Sequence, residues 1–249
     1  MAVERNKIVN FCEEYLKTQD FEDYCHNGLQ VEGAEKVEKV VTGVSLSQKL
    51  IEAAIEKKAQ MIIVHHGIFK SMLEDRQIKG VFKNRIKLLL QNDINLLGFH
   101  LPLDSHPEIG NNISLCNLLG IVNNVKSFDV GFIGELANEI KFSEFVNLIN
   151  SKLNVQAAGF NTGNQIVKKV AVISGGAAAD YELAADAGAD TFLCGDIREE
   201  VVRGIEEKKI NFINAGHYNT EKLGIQNLGE VIAKEFDIDV EFVDIPNNV

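Results

Sequence analysis

No apolar run in this chain approaches the roughly 20 residues that a membrane-spanning helix needs. Positive charge is also scarce, because 25 Lys and Arg face 36 Asp and Glu, for a net charge of −11. Binding to a phosphate backbone depends on Lys and Arg, so nucleic acid is disfavoured as the main partner. Small anions remain admissible where a metal supplies local positive charge. The four cysteines, Cys12, Cys25, Cys116 and Cys194, form no CxxC pair. They read as reduced, mostly buried thiols of a cytoplasmic protein. The N-terminal residues turn amphipathic with Glu13 and Glu14 close behind, which is not a signal-peptide pattern. The chain also lacks a Pro- or Ser-rich linker, a Gly-x-Ser-x-Gly elbow and an HExxH helix.

What is present is enough for one large domain or two small ones. The 249 residues are 45% hydrophobic and 24% charged, which suits a buried core and excludes a disordered composition. Residues 5–17 carry helical spacing, and Asn27–Val31 reads as a turn into a short strand. Val37–Val44 is β-branched, Ser47–Lys58 is an amphipathic helix, and Met61–Val64 is a wholly apolar run suited to a central strand. A helix near Phe82–Gln91 and a strand near Ile94–Phe99 follow. The order β-α-β-α-β implies an α/β fold with a mostly parallel sheet.

The second half repeats this order, with strands expected at Ile133–Leu136, Lys169–Ser174, Thr191–Cys194, Ile210–Asn214 and Val240–Val243. Helices are expected at Phe142–Leu153, Tyr181–Ala187, Glu199–Lys208 and about Leu223–Phe236. An offset of 130 residues places Val40 on Val170 and Met61–Val64 on Thr191–Cys194, and His65-His66 then falls on Gly195-Asp196. One reading is duplication of a single α/β unit. The other is the general likeness of any two βαβ units. Pattern places a domain boundary near 125, giving domains 1–125 and 126–249, with the last helix and strand able to cross back to the first.

Three segments carry the chemistry. His65-His66 follows the Met61–Val64 strand, and His100-x-x-x-Asp104 follows the next. Gly216-His217-x-x-x-Glu221 lies between a strand and a long helix, with His and Glu four apart on one helical face. Each segment sits just past the carboxyl end of a strand, where open α/β sheets place ligands. Four of the six histidines fall in them. The alternative readings are a satisfied core histidine, a turn aspartate, and a Glu221 placed near a helix start for its dipole, with Asn219 or Thr220 as cap. Imidazole and carboxylate without cysteine suit Zn, Mn, Fe or Co. Five or six such ligands exceed the needs of one catalytic zinc and suggest two metals sharing a carboxylate. Gly175-Gly176 can admit a phosphate at a helix start or serve close strand-to-helix packing, and Gly195-Asp196 can line a cleft or form a turn.

Taken in order, these segments resemble the NIF-three-like, or YbgI-like, family, whose members are called GTP cyclohydrolase 1 type 2 homologues. The matching residues are Asn27-Gly-Leu-Gln-Val31, His65-His66-Gly67, His100-x-x-x-Asp104, Ser174-Gly-Gly176, the Ala189-Asp190 to Gly195-Asp196 strand, and Gly216-His217-x-x-x-Glu221. They span nearly the whole chain, at the length of the short form without an inserted domain. Gly67 stands where the family often has Pro, and the residues between His217 and Glu221 vary. The resemblance implies two similar α/β domains facing each other across a metal-binding cleft, two divalent ions per subunit, and a homohexameric ring. It implies His65, His66, Asp104, His217 and Glu221 as ligands, with Glu221 as the bridge and His100 beside them, where under a hydrolase reading it relays a proton. The expected activity is metal-dependent hydrolysis of a nucleotide or related small molecule. The family's cyclohydrolase name implies water attack on the imidazole ring of GTP with release of formate. The alternative is a non-catalytic metal-binding regulatory or scaffold protein.

Overall fold

Strands form where β-branched runs are apolar on both faces, and helices form where apolar residues recur every three to four positions. The computed structural model describes residues 2–69, 77–247 and 249. In chain order its first elements are β1 (Val3–Glu4), α1 (Arg5–Tyr15), β2 (Gly28–Val31), β3 (Lys36–Val37), β4 (Lys39–Ser45) and α2 (Gln48–Glu56). Next come β5 (Met61–His66), α3 (Gly80–Gln91), β6 (Asn95–Gly98), α4 (Leu101–Ser105) and α5 (Asn111–Leu119). After these are β7 (Ile121–Phe128), β8 (Gly131–Lys141), α6 (Phe142–Leu153), β9 (Ala158–Phe160), β10 (Ile166–Val172) and α7 (Tyr181–Asp186). The last are β11 (Thr191–Cys194), α8 (Glu199–Lys208), β12 (Asn211–Asn214), α9 (His217–Thr220), α10 (Lys222–Phe236) and β13 (Asp239–Phe242). Among the described residues no helix is long and apolar enough to cross a membrane.

The chain divides into two compact units, Met1–Leu103 with Gly224–Ile245, and Asp104–Leu223 with Pro246–Val249. Residue 125, where pattern put the boundary, lies inside β7, and β7 is tied to β8 as an antiparallel hairpin. The division falls instead at Leu103/Asp104, and β13 pairs in parallel with β4 of the first unit.

The first unit's main sheet has the order β13-β4-β5-β6-β2, with β2 antiparallel to its neighbour and the rest parallel. Ser47 caps α2, its Oγ accepting from the Leu50 N–H at 3.2 Å. One face of the sheet packs Val41, Ile62, Val64 and Leu96 against Leu50, Ile51 and Leu89 of the crossover helices. The second unit's sheet has the order β7-β8-β10-β11-β12-β9, parallel from β10 to β12. Alternate residues serve opposite faces. Val170, Val172, Leu193 and Ile213 pack with Phe145 and Ile149 of α6, while Ala171, Phe192, Cys194 and Phe212 pack with Ala184 and Ile205 of α7 and α8. Each fully buried Val, Leu, Ile or Phe side chain among these contributes about 1.5–3 kcal/mol.

The two units repeat one design in detail. Val40 is in register with Met61, and Val170 with Thr191, at the expected offset of 130. Gln60 Oε1 accepts the N–H groups of Glu38 and Lys39. Asp190 Oδ2 likewise accepts those of Lys168 and Lys169. Asn95 and Asn211 each start the third parallel strand and accept the N–H of Gly33 and Gly163 at 2.8 and 3.0 Å. Generic βαβ likeness does not require the same side-chain clamps at corresponding positions, so duplication of one unit explains the pattern better.

Candidate functional site

In the first unit the site begins at the carboxyl end of β5. Neighbouring strand residues normally point to opposite faces, yet the His65 and His66 rings lie 4.6 Å apart at a tilt of 52°. Gln30 holds the chain immediately beyond them, its Oε1 accepting the Ile68 N–H at 2.7 Å. A Cβ on Gly67 would stand 2.2 Å from that same oxygen, so no larger residue fits there without displacing Gln30. His65 Nδ1 lies 2.9 Å from the Phe99 carbonyl oxygen, and this acceptor requires a proton on Nδ1. His66 Nδ1 pairs with Ser45 Oγ at 2.9 Å, across the register of β4 and β5. Both contacts engage Nδ1 and orient the rings, as is usual for imidazoles that bind a metal through Nε2.

His100, just past β6, completes the cluster, with its ring 5.0 and 5.6 Å from those of His65 and His66. One nitrogen from each of the three lies within 4.8 Å of the others. Its Nδ1 stands 3.0 and 3.2 Å from the two Asp23 oxygens, its N–H donates to Asn27 Oδ1 at 2.7 Å, and Nε2 meets the Tyr24 hydroxyl at 3.3 Å. Asp23 also accepts from Asn27 Nδ2, Leu101 N and Cys25 N. Burial pushes the Asp23 carboxyl up, but hydrogen bonds from His100, Asn27 and Cys25 outweigh it and hold it at about 2. An ionised carboxylate only accepts, so the proton of neutral His100 sits on Nδ1.

The second unit carries Asp104, His217 and Glu221. Asp104 is buried, and its Oδ1 accepts from Asn111 Nδ2 and Ser174 Oγ, each at 2.9 Å. Asn112 links the same strand end, accepting the Ser174 N–H at 2.6 Å and donating to the Asp104 carbonyl. His217 opens the one-turn α9, and its Nε2 lies 3.3 Å from Oε1 of the buried Glu221. Asp104 and Glu221 each offer an oxygen within 4.8 Å of the other. Thr220 is no cap for the long helix, because its Oγ1 accepts the Gly175 N–H at 3.0 Å. Gly175 has φ +67°, and a Cβ there would stand 2.1 Å from Glu221 Oε1. Gly175 therefore serves close packing under the carboxylate.

Every candidate ligand is thus placed in one of two clusters, His65, His66 and His100 in one unit and Asp104, His217 and Glu221 in the other. His106 stays apart, its Nδ1 accepting the N–H groups of Glu108 and Ile109 in a turn. Sequence reasoning missed Asp23, Ser45 and the orienting role of Asn111. Asp23 lies in an irregular segment with no periodicity, and only the structure brings it to His100. The thiols form no disulfide among the described residues and are buried, which pushes Cys116 up to about 12.

An α/β fold with imidazoles and carboxylates at its strand ends, those of His65, His66, His100 and Asp104 oriented by hydrogen bonds, defines a protein with groups able to bind a divalent metal. The description Duf34/NIF3 (NGG1p interacting factor 3) matches residues 3–248, and the chain belongs to that family. It is 40% identical to a Haemophilus influenzae protein named GTP cyclohydrolase 1 type 2 homolog, over 98% of each chain. It is 41% identical to a protein of the same name from Escherichia coli K12, again over 98% of each. The solved ybgI protein superimposes with a TM-score of 0.95 at 40% identity, covering 99% of this chain and 100% of that one.

Proposed function

We propose that this protein is a dinuclear metal-dependent hydrolase acting on a nucleotide or related small molecule. Its ligands are His65, His66, Asp104, His217 and Glu221, with Glu221 as the bridge. The observation that carries the reading is the orientation of the donors. His65 and His66 each have Nδ1 engaged, and Asp104 is held by two hydrogen bonds. Asp104 and Glu221 are both buried with oxygens within 4.8 Å of each other, and two such carboxylates are costly without a cation to balance them. Mixed N and O donors fit Zn, Mn, Fe or Co. Bound ions of this kind supply Lewis acidity and activate water at neutral pH. His100 then serves as proton relay, because Asp23 holds the proton on Nδ1 and presents Nε2 as the acceptor. The names of the relatives, GTP cyclohydrolase 1 type 2 homolog, support a nucleotide as substrate. By the same kinship we infer a homohexameric ring working in the cytoplasm, which light scattering after gel filtration tests.

The decisive experiment is elemental analysis of wild type, Glu221→Gln and His65→Ala, followed by a nucleotide turnover panel that includes formate release from GTP. About two metals per subunit in wild type, fewer in both variants, and metal-dependent turnover support the reading. Two metals without turnover of any substrate favour a metal-stabilised scaffold. No metal after refilling with Zn, Mn, Fe or Co overturns both.

A further inference from the structure

The carboxyl ends of β11 and β12 open into a pocket of about 860 Å³ that the metal reading does not use. Its lining lies wholly within the second unit. The volume is in the range of about 300–1,000 Å³ typical of small-molecule sites, and the position is where parallel sheets take ligands. The polar side chains around it are Asn154, Gln156, Asp196, Asn214, Asn219 and Asn247. Among the described residues no Lys, Arg or His lines it.

Among the described residues that line it, Asp196 carries the one charged side chain. In the repeat it occupies the position that His66 holds in the first unit, at the offset of 130 fixed by the strand registers. Its Oδ1 accepts the Ala178 N–H at 3.0 Å. Its Oδ2 flanks Gly176, since a Cβ there would stand 3.7 Å from that oxygen and 3.4 Å from His217 Cε1. A ligand held by Asp196 is therefore only a glycine away from a proposed metal ligand. Asn214 spends its Oδ1 on the Gly216 N–H at 2.9 Å, which turns its NH2 group to other partners.

This lining selects by charge. A carboxylate among neutral amides, with no cation, repels phosphate and carboxylate groups. It favours groups rich in N–H donors over anions, and carboxamides supply the donor and acceptor pairs that match the edge of a ring. We infer that this pocket binds an uncharged nitrogen heterocycle of nucleobase size, without its phosphates, and that Asp196 is the acceptor that determines which ring is chosen. Calling the occupant a substrate rests on the hydrolase reading. Its binding does not, because the lining includes none of the proposed metal ligands.

The test uses the full chain stripped of metal. Binding of adenosine, guanosine, cytidine and uridine, and of their 5′-triphosphates, is measured by ligand-observed NMR and calorimetry. At least one nucleoside should bind, and its triphosphate no more tightly. Asp196→Ala and Asn219→Leu should each weaken that nucleoside, the former by about tenfold or more, while Asp196→Asn reorders preference among the rings. Circular dichroism and metal content on reloading confirm that the variants fold and keep the other site. Absence of nucleoside binding, binding of triphosphates alone, or wild-type affinity and ring preference in all the variants overturns the inference. Failure of the metal reading shows separately, as absence of metal in elemental analysis.

Discussion

His100 Nδ1 and the Asp23 carboxylate are 3.0 Å apart, with 7% of the histidine side chain and 2% of the aspartate side chain exposed. The pair fixes the tautomer of His100. In Asp23→Asn the amide oxygen can still accept, but the charge that anchors the proton is gone. Long-range 1H–15N NMR should show wild-type His100 protonated on Nδ1 and a mixture of tautomers in the variant. An unchanged Nδ1-protonated spectrum would remove Asp23 from its positioning role.

The same carboxylate predicts a pH dependence. Its folded value of about 2 lies below the ordinary 3.8, so its stabilisation is fully present above about pH 4 and is lost as pH falls toward 2. The magnitude is on the order of 1–2 kcal/mol. Urea unfolding of wild type and Asp23→Asn should differ by that amount at pH 6 and converge between pH 4 and pH 2. A constant gap across this window would show that the charge is not the source.

Gly175→Ala should be severe for two reasons. The residue has φ +67°, which costs alanine about 1 kcal/mol, and the new Cβ would strike Glu221 Oε1. Overpacking of this kind adds about 1–3 kcal/mol. Both thermal stability and metal content should fall. In Gly176→Ala the nearest atom to the new Cβ is His217 Cε1 at 3.4 Å, and stability and metal content should stay close to wild type. Equal effects at the two positions would argue against the packing account.

The alternation of strands and helices was legible because β4, β5, β6, β10, β11 and β12 are apolar or β-branched and bounded by polar turns. The offset of 130 was legible for the same reason. β7 was not, because Ile121–Phe128 is an edge strand with mostly exposed polar residues and no apolar period. Missing it put the boundary at 125. The ligand candidates were legible as histidines and carboxylates just past strands. Their orienting partners were not, because Ser45, Asp23, Asn111 and Ser174 reach them from other segments of the chain, and only folding supplies that proximity.

Ser174 and Asn111 both donate to Asp104 Oδ1, so their loss should weaken metal binding without removing a ligand. Ser174→Ala should cost about 1 kcal/mol of stability and about 10–100-fold in metal affinity, measured by competition with a chromogenic chelator. A loss of stability with unchanged affinity would make the serine purely structural.

Binding to the folded state alone stabilises by mass action, about 2.7 kcal/mol when free metal is 100 times its dissociation constant. For a chain of this size that corresponds to a rise of roughly 5–10 °C in Tm. Chelator treatment followed by titration with Zn, Mn, Fe or Co should therefore raise Tm progressively in wild type, and in Asp196→Asn to the same extent, since Asp196 is not a ligand. Glu221→Gln should lose most of the rise, because the amide cannot match a buried carboxylate as an anionic ligand beside His217. An equal rise in wild type and Glu221→Gln would mean that metal binds elsewhere on the chain, and would remove Glu221 from the centre.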